Sequence, residues 1–251
     1  MQDRLKKILT AVVEEYTDSA VPVGSKVLAD KYKLGISSAT IRLDMTELEN
    51  QNYLYQPHTS AGRIPTDKGY RFFVEKIMGE QKLSLADQKK IQTEILKLKV
   101  QNRRMSRTTA KLLSAMSGGL AISGLKKEFY DFGMSELLEN PEFQKIDEFC
   151  LIVEALDYID ENVKTILEKL KDGQTKIFIG KENPIKEISH CSMVVSPYRS
   201  KSGERGLLAI IGPKRMKYAK NKSLLDYVRK LISSSAVIIL VTESIKLAIF
   251  K

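Results

Sequence analysis

The sequence predicts an α+β protein, and three observations carry the prediction. Apolar residues at helical spacing run through most of residues 1–50 and 82–113. Three runs of β-formers, separated by Gly and Pro, fall between 176 and 211. Helical spacing then returns at 223–233. With 251 residues, 43% hydrophobic and 29% charged, the chain is long enough for two compact domains and too apolar for disorder.

In chain order, Leu5, Ile8, Leu9, Val12, Val13 and Tyr16 form the stripe of an amphipathic first helix. TDSAVPVG breaks it at Pro22 and Gly24. Ser25 is the expected cap of a short second helix through Tyr32, with Val27, Leu28 and Tyr32 facing inward. A turn around Gly35 leads to Ser37, the expected N-cap of a third helix reaching about Asn50, with Ile41, Met45 and Leu48 buried. Asn52 suits a left-handed helix terminus. Tyr53–Gln56 reads as a short strand, HTSAGRIPT as a loop bounded by Pro57 and Pro65, and DKGYRFFVEKIM as a closing helix. Helix, helix, turn, helix, strand, loop in this order is the winged helix-turn-helix plan.

Residues Lys82–Leu113 contain no Gly or Pro and read as one long connecting helix. Ile91, Ile95, Leu98, Asn102, Met105, Thr109 and Leu112 make a seam along it. That seam either packs on the chain's own C-terminal domain or pairs with a second copy. SGGLAISG is expected to be a linker. Gly133–Asn140 and Glu142–Lys171 read as helical, Lys176–Ile179, Ser192–Val195 and Leu207–Ile211 as strands, and Ser223–Ser233 as a helix. The tail Ala236–Phe250 is either a hairpin or a continuation of that helix. The expected division is a DNA-binding module at 1–78, a basic connecting helix at 79–117 and an α+β domain at 118–251.

Charge narrows the function. The net charge is +10, and residues 79–127 hold 11 Lys and Arg against 3 acids, whereas residues 1–78 are nearly balanced. A basic excess attracts polyanions, DNA first, by counterion release. Only Cys150 and Cys191, and only His58 and His190, are present, with no metal-ligand or nucleophile–base grouping. A disulfide framework, a zinc site, a cofactor and an enzyme are therefore not expected. No stretch is long and apolar enough to span a membrane, the N-terminus is not a signal peptide, and a cytoplasmic location is expected.

The expected DNA-contacting residues lie on the third helix and the loop after it. Ser37, Ser38, Thr40 and Arg42 can donate to phosphates or bases, and Arg42 can pair bidentately with guanine. Leu43 and Thr46 share the outward face. In the wing, His58, Thr59 and Ser60 offer donors to phosphate, with a structural cap beside Pro57 the alternative for His58. Arg63, among small residues, can approach phosphates or a minor groove.

SSATIRLDMTELENQNYLYQPHTSAGRIPTDKGYRFFV resembles the signature of the HrcA family, the bacterial heat-inducible transcription repressors. GMSELLENPEF, FIGKENP, CSMVVSPY and AIIGPKRMKY extend the resemblance through most of residues 1–230. The resemblance implies a GAF-like C-terminal domain and repression of chaperone operons through an inverted-repeat operator, CIRCE. It also implies a GroEL chaperonin that promotes the active state. The chain departs from the family pattern at Leu43, where Asn is usual. Family members also carry further sheet strands and an inserted dimerisation domain between positions equivalent to Ser123 and Phe132, where this chain has only GLKKEFYD, so a truncated GAF-like domain is expected. A homodimer remains expected, through Lys82–Leu113, a sheet edge, or both. Glu182, Asn183, Arg215 and Tyr218 are the places where a small ligand could sit, which would make the protein a metabolite-sensing transcription factor instead.

Overall fold

The computed structural model describes residues 1–101, 105–125, 128–200 and 203–233. The N-terminal module contains α1 (Asp3–Ser19), α2 (Ser25–Tyr32), α3 (Ser38–Asn50), the two-stranded wing β1 (Leu54–Tyr55) and β2 (Ile64–Pro65), and α4 (Asp67–Lys76). Leu5, Ile8, Leu9, Val12, Leu28, Ile41, Met45, Leu48 and Leu54 are its buried core. Ser37 caps α3 as expected, its hydroxyl accepting from the Thr40 N–H at 3.1 Å. Asn52 takes the left-handed conformation, φ 59°, after α3.

Two local expectations fail in α2. Gly24, not Ser25, occupies the N-cap position, and Val27 is 43% exposed. The inward stripe is Ser25, Leu28, Ala29 and Tyr32, at steps of three and four, and Val27 lies off it.

The connecting segment is helical and comes as two helices, α5 (Leu85–Gln101) and α6 (Met105–Ser117), on either side of residues 102–104. They pack against each other, and both pack against α10 (Tyr218–Ser233). Ile91 and Ile95 are fully buried in the same core as Leu112 and Leu113, so this part of the seam is covered within the chain itself. The expected seam residue Asn102 lies outside the described residues.

The expected linker is instead a strand. β3 (Leu120–Leu125) pairs with β4 (Glu128–Phe132) on one side and β7 (Arg205–Pro213) on the other. Ser123 and Gly124 resemble loop residues, yet Gly124 sits where a Cβ would overlap Phe129, a close approach that only Gly permits. With β5 (Lys176–Ile179) and β6 (Cys191–Arg199), the strands form one antiparallel sheet in the order β4-β3-β7-β6-β5. The described residues of GLKKEFYD, Gly124, Leu125 and Glu128–Asp131, thus lie in the β3–β4 ladder, which ends at Leu125↔Glu128.

Both faces of the central strands β3, β7 and β6 are buried. Along β7, Leu208 and Ile210 join the core beneath α6 and α10, while Leu207, Ala209 and Ile211 join the opposite core. That second core is completed by α7 (Met134–Leu138), α8 (Ile146–Asp157) and α9 (Ile159–Glu168). This is the α+β, GAF-like architecture expected. The tail at 234–251, hairpin or helix, lies outside the described residues.

Candidate nucleic-acid interface

α3 is held in place from its inner face. Asp44 falls in phase with Ile41, Met45 and Leu48 and is buried with them, its side chain 8% exposed. A buried carboxylate requires a partner. Arg4 of α1 supplies it, with Nε 2.7 Å from Oδ2 and Nη2 2.8 Å from Oδ1. The Arg4 guanidinium is raised above its ordinary pKa by that hydrogen bond and by the Asp44 charge.

The outer face is open. Ser38, Arg42 and Leu43 are exposed, Leu43 at 72%. Thr40 sits one turn in, its hydroxyl 2.9 Å from that of Ser37. No acidic side chain occupies the first turn of α3, so its unpaired N–H groups and positive dipole end meet no internal anion. The wing follows from the β1–β2 ladder, Leu54↔Pro65 and Tyr55↔Ile64. Gln56 ties its loop down by donating to the carbonyls of Thr59 (3.0 Å) and Ala61 (2.7 Å). His58, Thr59 and Ser60 are exposed at the tip, with His58 Nδ1 3.2 Å from the Ser60 hydroxyl.

Arg63 is placed differently from the other expected contact residues. Its side chain is only 13% exposed. Nε donates to Glu49 at 2.9 Å and Nη2 to the Thr46 hydroxyl at 3.1 Å, while Thr46 donates to the Arg42 carbonyl at 3.0 Å. The Arg63 backbone pairs with Val23 in both directions, at 3.0 and 2.9 Å. Arg63 therefore joins the wing to α3 and to the α1–α2 connection. The structure brings Arg63 and Thr46 together, and separately Ser37 and Thr40. It leaves Ser38, Arg42 and Leu43 on the free helix face and His58–Ser60 on the free wing tip.

The sequence reading missed the groups that hold this surface: Arg4, Asp44 and Glu49. A signal was present, since an acid three residues after Ile41 and four before Leu48 shares their face. Of the residues considered for a small ligand, Asn183 and Tyr218 make internal hydrogen bonds. Asn183 donates to the carbonyls of Gly180, Ile188 and Cys191, and the buried Tyr218 hydroxyl lies 2.8 Å from that of Ser192. Among the described residues, no group of three or more His, Cys, Asp or Glu could hold a metal ion, and no helix is long and apolar enough to cross a membrane.

Residues 70–221 match the model of the HrcA protein C-terminal domain. Heat-inducible transcription repressor HrcA of Pelotomaculum thermopropionicum is 28% identical, over 93% of this chain and 96% of its own. That alignment runs over 336 positions, more than the chain has residues, so the relative carries segments with no counterpart here. The HrcA of Frankia casuarinae is 45% identical over 122 residues, 49% of this chain and 36% of that one. A crystal structure of a hypothetical protein at 2.2 Å resolution superposes with a TM-score of 0.71 at 21% identity, covering 93% of this chain and 96% of that chain.

Proposed function

The chain belongs to the HrcA family, whose named members are heat-inducible transcription repressors, and on that footing we propose how its surface meets DNA and what controls it. The open face of α3 enters the major groove with its N-terminal residues toward the bases. Arg42 pairs with a guanine edge, Leu43 packs on a thymine methyl, and Ser38 and Thr40 meet phosphate. His58, Thr59 and Ser60 anchor the wing tip on the backbone, and Arg63 fixes the wing's angle to α3. The observation that carries this reading is an exposed α3 face beside an exposed wing tip, braced from behind by the partly buried charge pairs Arg4–Asp44 and Arg63–Glu49.

The output is occlusion of a promoter, so no catalytic chemistry is required. The proposed operator is an inverted repeat of the CIRCE type before chaperone genes. Two half-sites call for a homodimer. The proposed division of labour is DNA binding by residues 1–78, connection by 79–117 and assembly and control by 118–251, all in the cytoplasm. The GroEL chaperonin promotes the binding state; heat-unfolded proteins occupy the chaperonin and the genes are released.

Footprinting on the promoter of the host's chaperonin operon, at stated salt, tests the DNA reading. Protection of two symmetric half-sites is expected, and no protection at any salt would overturn it. Operator binding after heating and cooling, with and without purified chaperonin, tests the control. Equal recovery in both would remove the chaperonin from the scheme.

A further inference from the structure

The free edge of the sheet at β5 is closed from two sides. β5 pairs with β6 alone, so its other edge presents unpaired backbone groups, which proteins cover or block. Ile177 and Ile179 are two residues apart and present backbone groups to the same side. The Ile177 carbonyl accepts from Arg71 Nη2 at 2.8 Å. The Ile179 N–H donates to Glu182 Oε2 at 3.1 Å. Arg71 and Glu182 also pair with each other, Nε to Oε1 at 2.9 Å and again through Nη2 and Oε2. Together they offer the strand one donor and one acceptor, the pattern a neighbouring antiparallel strand would offer. Glu182 belongs to the turn after β5, but Arg71 belongs to α4 of the DNA-binding module.

A second contact lies one helical turn earlier on the same face of α4. The Asp67 carboxylate accepts from Lys214 Nζ at 2.6 Å and from the Lys181 N–H at 3.3 Å. It does so directly over Gly180, φ +56°, where a Cβ would overlap the carboxylate. At the end of α1, Arg215 donates to the Thr17 carbonyl at 3.2 Å and Lys217 lies 3.0 Å from Asp18. Tyr70 packs edge-on to Tyr218 at 6.1 Å. The body-side groups come from 177–182 and 214–218, and all but Ile177 fall within two motifs that DNA contact leaves unexplained. In this docked arrangement Arg42, Leu43 and His58–Ser60 remain exposed.

We infer that Arg71 and Glu182 form a latch in which the DNA-binding module completes the β5 edge of the sheet, and that this docking fixes the module in its DNA-binding orientation. Arg71 and Asp67 are positioning residues, and the second half of the inference rests on the DNA reading above. A head already fixed in place loses less freedom on binding than a tethered one.

The test uses the full chain with Arg71→Gln and Glu182→Gln, singly and together. Residue-resolved amide exchange without DNA reads the latch. In Arg71→Gln, Ile179 should exchange about tenfold faster although its own acceptor, Glu182, is unaltered, because an open edge loses protection. Unchanged exchange at Ile179 would overturn the latch. If Arg71→Gln fails to fold, Glu182→Gln reads the same link from the sheet side, with faster exchange expected in α4, and unchanged α4 overturns it. Binding to the chaperonin-promoter duplex reads positioning. Each single variant should weaken it about tenfold and the double variant no further, since the two act as one unit. Faster exchange with unchanged DNA affinity would overturn the positioning role. Failure of the wild-type chain to bind that duplex would instead overturn the DNA reading and leave the exchange result standing.

Discussion

Arg63 on the wing and Glu49 near the end of α3 are joined at 2.9 Å, and the same guanidinium reaches Thr46 at 3.1 Å. The wing arginine expected to touch DNA therefore directs Nε and Nη2 to partners inside the protein. Arg63→Ala should destabilise the module by about 1–3 kcal/mol, the usual cost of leaving a partly buried charged acceptor unmatched. Chemical denaturation measures this. Arg63→Lys keeps the charge but loses the fork. It should still weaken binding to promoter DNA, and wild-type affinity in that variant would make Arg63 a direct phosphate contact instead.

Arg42 and Leu43 carry the base-reading prediction. Arg42→Ala should cost about 1–3 kcal/mol in specific binding, the worth of one bidentate pair, with a smaller effect on random duplex. Leu43→Asn introduces an amide able to pair with adenine and should shift preference at one operator position without changing stability. Selection from a randomised half-site reads both. Identical preferences in the wild-type chain and the Leu43→Asn variant would place this residue off the bases.

His190 sets a pH dependence. Burial lowers its pKa below the ordinary value, partly countered by Glu148, and its Nε2 is buried without a hydrogen-bond partner beside the Phe143 ring. A histidine whose folded pKa is depressed favours the native state fully above its unfolded pKa of about 6.5, and that contribution is lost as pH falls toward the folded value. The melting temperature should drop between pH 7.5 and 5.5, and His190→Phe, which keeps an aromatic ring there, should reduce the drop. An equal drop in the variant would assign it to other groups.

The two thiols should react unequally. Cys191 is buried in the sheet and its thiol pKa is pushed far up by desolvation, whereas Cys150 is exposed on α8. Native protein should take up a single equivalent of a thiol reagent, at Cys150, and a second only on unfolding. Rapid modification of Cys191 in the folded state would contradict the packing described.

The legible parts of this molecule were those set by local periodicity. The Ile41, Met45 and Leu48 stripe, the Ser37 cap and the Asn52 terminus follow from neighbours three or four residues away. β3 was not legible, because Ser123 and Gly124 look like loop residues until Phe129 and β7 are in place around them. The open face of α3 could be read from its own phase, but the anchoring of Arg63 could not. Its partners lie 14 and 17 positions back in the chain. The latch is less local still, joining Arg71 to a residue 111 positions away. Long-range charge pairs leave no periodic trace, and Asp44 is the exception only because burial forces an acid into an apolar phase.

The β3–β4 hairpin has a practical use. Leu125 and Glu128 face each other at the end of the β3–β4 ladder, so the two strand ends lie side by side at one end of the sheet. A guest domain whose own ends lie close together can be spliced between them without altering the register of either strand. The same spot would accept a fluorescent reporter or an engineered pairing module. Fusion of a pairing module there would let the number of copies in the assembly be set by choice of guest.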